Sequence, residues 1–432
     1  MKKLILNSLK SSLLLMLFAP FASNAQMGKV SNLRPYDKTG INVYETPKQN
    51  DKEVFDGLQV RFGAGFTQSF QGLKHENKST DPANALYKIT PGFNTANANL
   101  FMDVQLADGI RLNLTSYLSS RNHNETWVKG GYIQFDKLPF KGKFWSDLME
   151  IATIKVGHME INYGDAHFNR SDGGQTIQNP FIENYILDAF TTEIGGEVYL
   201  QKNGLIGMLG VSNGMIKGNI NEQVPTLKDD NIKKSPSIYL KGGFDKQVTD
   251  MVRLRLTGSY YHNGSSGSNT LYGGDRTGSN YFAVMEKVGS TNAFSGRFNP
   301  GFSKKIDAVQ LNAFAKIAGL ELTGNYETAN GRSKAESDTR KVSQIVADGV
   351  YRFGSDENLF VGVRYNTVTA RMAGTTSDIE INRVAASAGW FVTKNILLKG
   401  EVVTQKYVDF AQTDYRYGGK FNGYVIQAVV GF

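Results

Sequence analysis

The 432-residue chain contains no cysteine, only ten prolines and only five histidines. Without cysteine there are no disulfides, no thiolate metal sites and no lipidated N-terminal cysteine. The histidines (His75, His123, His158, His167 and His262) sit in no recognised nucleophile motif, so no catalytic constellation and no cofactor are read from the chain. Lys and Arg exceed Asp and Glu by only eight charges, three of them at Lys2, Lys3 and Lys10. A nucleic-acid binder would concentrate basic residues in a patch, and there is none. After the first 25 residues no run approaches the ~18–20 apolar residues of a membrane helix.

What is present begins with a leader. Residues 1–25 carry the basic Lys2-Lys3, an apolar core around Leu13–Phe18, and Ser23-Asn24-Ala25 as a cleavage site before Gln26. Residues 26–57 are polar, with Pro35, Pro47 and the charged run Asp51-Lys52-Glu53. They are expected to form a periplasmic N-terminal extension with little core of its own. Disorder is the expectation favoured; entry into a pore or contact with periplasmic partners are the alternatives.

Residues 58–432 alternate. Leu58, Val60, Phe62, Ala64 and Phe66 share one parity while Gln59, Arg61, Gly63, Gly65 and Thr67 share the other, the period of a strand with one apolar and one polar face. The pattern returns about sixteen times. It is joined alternately by short turns such as Asp108-Gly109 and Ala318-Gly319 and by long polar stretches such as 213–236 and 262–305. Tyr281–Val288 also alternates, but counting it would break this order, so it is read as a hairpin within a long outer loop. One parity holds uncharged sets such as Val384-Ala386-Ala388-Trp390. Tyr260, Tyr326, Tyr351, Phe353, Trp390 and Phe432 fall near strand ends as an interfacial girdle would require. The expectation is an all-β transmembrane antiparallel barrel of about 16 strands, its apolar face on outer-membrane lipid, since only a closed barrel satisfies every backbone group in a bilayer without helices. A soluble sandwich would alternate too, but would not explain the aromatics, the loop lengths and the terminal Phe432 together.

The other parity carries Arg61, Arg111, Arg253, Arg255, Arg352, Arg364 and Arg383 as the expected pore wall, with Lys316 and Lys399, among Asp103, Glu193, Glu197, Glu321, Asp348 and Glu401. Such a lining sorts solutes by size and field, with a slight preference for anions. Alternation stops over 157–189, a stretch too polar for a core helix and long for a loop without a function of its own. It is expected to fold inward as a constriction bearing Glu160, Asp165, His167, Arg170, Asp172 and Glu183. His158, Glu160, Asp165 and His167 could gather a metal, and Asp275 a calcium ion, but bonding within the loop and a solvated loop tip are the expectations preferred.

At GHMEINYGDAHFNRSDGG (157–174) and NPFIENYILDAFTTEIGGEV (179–198) the chain resembles porins of Bacteroidota, a group similar to the phosphate-selective O/P porins. The ending FNGYVIQAVVGF, with Tyr424 and Phe432, resembles the insertion signal read by the barrel-assembly machinery. The resemblance implies a pore, able to form a homotrimer, for passive uptake of small hydrophilic or anionic solutes. Acidic residues intersperse the arginines, so phosphate selectivity is not carried over. A non-conducting structural, adhesive or assembly barrel remains the alternative.

Overall fold

The computed structural model describes residues 30–46, 48, 55–118, 126–171, 175–274, 279–290 and 294–432. The leader (1–25), Asp172 and Asp275 lie outside the described residues.

Sixteen antiparallel strands close into a barrel. In chain order these are β1 (Gln59–Glu76), β3 (Asn97–Ala107), β4 (Ile110–Leu118), β5 (Thr126–Phe135), β6 (Ala152–Glu160), β7 (Thr192–Lys202), β8 (Leu205–Ser212) and β9 (Ser237–Thr249). They continue with β10 (Val252–Asn263), β11 (Lys305–Ile317), β12 (Leu320–Arg332), β13 (Arg340–Phe353), β14 (Leu359–Arg371), β15 (Asp378–Thr393), β16 (Ile396–Val408) and β17 (Lys420–Gly431). The two-residue β2 (Gly92–Phe93) only adds a patch beside Phe70 and Gln71 of β1. Closure comes from β1, which pairs with β3 through its first half and with β17 from Gly65 to Glu76. Phe432 completes the seam by exchanging backbone hydrogen bonds with Ala64 at 2.9 and 3.0 Å. Gly72 lies opposite Tyr424 there; a Cβ on Gly72 would come within 2.6 Å of the tyrosine ring, so only glycine lets that ring lie flat across β1.

Period 2 places the expected apolar parity outside. Val363, Val402 and Ile426 are 62%, 60% and 54% exposed, while Tyr424, Trp390 and Phe432 also point outward. Short turns gather at one end. At Asn203-Gly204 both residues have positive φ (54° and 84°), the type I′ geometry that matches the twist of paired strands.

Three features depart from expectation. β1 runs on to Glu76, beyond the polar Thr67-Gln68-Ser69, because pairing with β17 supplies the backbone partners that side-chain pattern alone does not reveal. The connection 136–151, at the short-turn end, is long and holds a helix, Lys143–Met149. Tyr281–Val288 is no hairpin: it turns inward within the 264–304 connection, and Tyr281, Val284 and Met285 are buried.

Candidate functional site

The lumen is filled from three directions. The expectation of disorder for the N-terminal extension is overturned for residues 30–46, which run inside the barrel. Val30, Leu33 and Tyr44 are buried, and Tyr36 stacks on Phe101 of β3 with ring centroids 3.8 Å apart and planes 3° from parallel. A polar segment can order here because the wall supplies its partners. The Asn42 amide donates to Glu321 at 2.6 Å, and the Arg34 guanidinium donates to the Gly40 carbonyl at 2.8 and 2.9 Å and to Phe168 O at 2.5 Å. Residue 48 is described too: the Lys48 ammonium donates to Asp136 O at 2.7 Å.

The second element is the stretch after β6. From Ile161 to Thr191 it folds inward through two 3-10 turns, Ala166–Asn169 and Gln175–Gln178. Ile182 and Ile186 are fully buried, and Leu187 is buried as well; complete burial of such side chains stabilises by about 1.5–3 kcal/mol each. The third element, 264–304, joins the second through Phe298 N to Ile186 O (2.7 Å) and Phe190 N to Leu271 O (2.9 Å). Both pack on inward-facing Ile306, Val342, Val368, Ile381 and Phe421, making one continuous apolar core within the barrel.

The expected constriction residues divide into separate bonded groups. Asp165 accepts a two-point bond from Arg255 (2.7 and 2.8 Å), a bond from Thr257 (2.9 Å) and an ion pair from Lys241 (2.7 Å). Glu45, from the N-terminal segment, joins the same cluster through Lys241 (2.8 Å) and Arg255 (2.7 Å). Burial alone would raise both carboxyls, but Lys241 and Arg255 outweigh it: Glu45 is held down at about 2, and Asp165 well below the usual range. Gly164 sits beside this cluster at φ +70°, and a Cβ there would fall 1.7 Å from the Gln310 amide oxygen.

Glu160 and His167 pair at 2.5 Å, and the other His167 nitrogen meets Asn162 at 3.0 Å. Arg170 binds Asp188 and lies 3.9 Å over the Phe190 ring. Glu183 is buried and accepts from the backbone of Asn184 (2.8 Å) and Asn280 (2.5 Å) and from the Ser279 hydroxyl. With Asp165 taken by Arg255 and Lys241, the residues considered for a metal do not converge. Among the described residues no group of three or more His, Asp or Glu side chains has the spacing to hold an ion.

All seven wall arginines face inward, and each is engaged. Arg61 pairs with Asp103 (2.5 Å), Arg111 with Asp136 (2.6 Å), Arg253 with Asp245 (2.6 Å), Arg352 with Glu321 (2.9 Å) and Arg364 with Asp348 (2.7 Å). Arg255 belongs to the Asp165 cluster. Arg383 donates to Gln405 and to the carbonyls of Asn184 and Gly296. Lys399 donates to Thr176 O, Asn179 O and Phe181 O at 2.7–2.9 Å, and Glu401 accepts from Ile182 N (2.9 Å) and Tyr281 OH (2.5 Å). Arg255, Arg364, Arg383, Lys399 and Glu401 therefore bond the inward loops to the wall, while Arg61, Arg111, Arg253 and Arg352 pair with neighbouring wall carboxylates.

Space remains on the β4–β7 side. A cavity of ≈ 200 Å³ lies between the N-terminal segment and that wall, bordered by Arg34, Tyr132, Lys155, Glu160, His167 and Tyr199. A wider recess of ≈ 500 Å³ near the short turns is bordered by Asn42, Glu45, Asn203, Asp245 and Arg253. Sequence reasoning named neither Lys155 nor Arg34. Lys155 was legible as an inward-parity cation of β6, but Arg34 had no periodicity to place it.

No family model and no curated relative matches the chain. Solved structures do. An anion-selective porin from Comamonas acidovorans superposes with a TM-score of 0.53 at 10% identity, covering 87% of this chain and 100% of that one. The outer membrane channel DcaP of Acinetobacter baumannii gives 0.51 at 11% identity, covering 89% and 100%. The shared feature is the porin-like barrel fold.

Proposed function

We propose that this chain is a porin of a Gram-negative outer membrane, of the Bacteroidota type, passing small hydrophilic solutes by passive diffusion with a mild preference for anions. It has no enzymatic activity in this reading. The observation that carries it is the pair of spaces within the barrel, bordered by polar and apolar side chains alike, in a lumen otherwise filled by loops. The anion preference is supported by Arg34, whose bonds all go to carbonyls, and by the nearby Lys155. The 161–191 loop sets the size limit, with the Asp165–Arg255–Lys241–Glu45 cluster as its anchor. Residues 1–25 are the secretory leader. The segment from residue 30 enters the barrel from its periplasmic end, and Tyr424 and Phe432 present the outward ending read by the barrel-assembly machinery. Homotrimer formation fits the same reading.

A second reading has its own observation. The inward loops bury isoleucines and leucines against the wall, as a permanent plug would, which favours a non-conducting structural or assembly barrel. Planar-bilayer recording of the purified protein under a salt gradient separates the two. Discrete steps with an anion-leaning reversal potential are expected. A folded, heat-modifiable barrel that gives no steps would establish the second reading instead.

A further inference from the structure

The charges around the ≈ 200 Å³ cavity do not balance locally. Its carboxylates are committed: Glu45 to Lys241 and Arg255, Asp136 to Arg111 and Lys48, and Glu160 to His167. Lys155 is not. The strand register sets it beside Gln134 and Glu197, yet the Glu197 carboxylate is turned to Tyr199 OH (2.5 Å) and to Asn162 N (2.8 Å). The Lys155 ammonium instead rests 5.0 Å from the ring centroids of both Tyr132 and Tyr199. Two aromatic faces fix a cation in position without neutralising it.

The rest of the cavity surface narrows the class of ligand. Leu33, Met159 and Phe168 border it, so part of the wall is apolar. A phosphate-like anion needs several converging N–H donors. Here the cations are held on separate partners, Arg34 by the Gly40 and Phe168 carbonyls, Lys48 by the Asp136 and Ala152 carbonyls and Lys129 by Glu160 (3.9 Å), while Lys155 rests between two rings. The volume also exceeds what a single water or simple ion needs, at ~30 Å³ of liquid per water.

We propose that this cavity is a binding subsite for a small organic carboxylate, the carboxylate seated on Lys155 between Tyr132 and Tyr199 and the apolar body against Leu33, Met159 and Phe168. The inference rests on the lumen being reached by solutes, as in the channel reading above. It adds a selective stop within the path: carboxylates with a compact apolar body are held longer than inorganic anions.

Isothermal titration calorimetry on the detergent-solubilised barrel tests it, with benzoate and inorganic phosphate as separate probes. Saturable benzoate binding is expected, weakened about tenfold or more in Lys155→Gln, as loss of a charge-assisted contact implies, and retained within a few-fold in Lys155→Arg. Phosphate should bind more weakly than benzoate. Equal or tighter phosphate binding would overturn the proposal, as would unchanged benzoate affinity in a Lys155→Gln barrel that keeps its heat-modifiable mobility. Absence of saturable benzoate binding to the folded wild-type barrel would overturn it as well. Conductance of the same preparation reports separately on whether the channel reading stands.

Discussion

Arg255 and Asp165, ninety residues apart in sequence, meet in a two-point ion pair with both N–O distances at 2.7–2.8 Å. The pair links a barrel strand to the inward loop at a buried position, and Lys241 and Glu45 extend it to the N-terminal segment. Removing one partner of such a group leaves charge stranded. Asp165→Asn should therefore cost about 3–5 kcal/mol of local stability. In the bilayer it should raise conductance or the frequency of openings, because the loop loses its anchor. Amide hydrogen exchange over 161–170 should rise in parallel. Unchanged exchange and conductance would mean the loop is held by its apolar residues alone.

The same cluster makes a pH prediction whose sign follows from the lowered carboxyls. Glu45 and Asp165 have folded values below their unfolded ones, about 4.3 and 3.9. They contribute stability above those unfolded values and lose it as pH falls toward the folded value, about 2 for Glu45. Between about pH 4 and pH 2 the N-terminal segment should loosen from the lumen. Pepsin, active in this range, should cut within residues 30–48 more readily as pH drops, relative to a free peptide of the same sequence. A constant ratio across the window would show that Tyr36 on Phe101 and the Arg34 bonds hold the segment without the cluster.

Much of the barrel was legible because period 2 is a local property. Leu58 to Phe66, Val384 to Trp390 and Tyr424 to Phe432 each declare their outward face, and Asp108-Gly109 declares a turn. The filled lumen was not legible in the same way. In Lys341–Phe353 the inward Val342, Val346 and Val350 are buried while Ile345, Tyr351 and Phe353 face out. A strand apolar on both faces signals packing on both, but does not say what packs inside. The answer lies in 161–191 and 264–304, whose buried apolar residues follow loop geometry, so that even the alternating Tyr281–Val288 does not reveal that it turns inward. The N-terminal segment is polar, and its order depends on wall residues hundreds of positions away, such as Glu321 for Asn42.

Lys399 offers a test of the wall charges as fasteners. Its ammonium satisfies three loop carbonyls in a buried setting. Lys399→Met keeps the bulk but leaves those acceptors unpaired, and should lower stability by about 2–5 kcal/mol. The contrast is Lys420, paired with Glu76 on the surface with side chains 51% and 67% exposed. Lys420→Met should change stability by under about 1 kcal/mol, as exposed pairs do. Guanidinium unfolding of both variants in detergent, followed by heat-modifiable mobility, provides the comparison. Equal effects would count against a fastening role for Lys399.

The outward face carries the membrane placement, and Val363 is the position to probe. It lies near the centre of β14, is 62% exposed, and pairs laterally with Ala386, which pairs in turn with Val402. Three apolar side chains thus run side by side around the barrel exterior. If this band meets lipid at mid-depth, Val363→Arg should cost about 2–4 kcal/mol in folding from urea into lipid vesicles. If the exterior met water, the same exposed substitution would fall within about 0.5 kcal/mol. The two values are far enough apart for equilibrium folding to decide. A near-zero cost in vesicles would remove the membrane barrel and the channel reading with it.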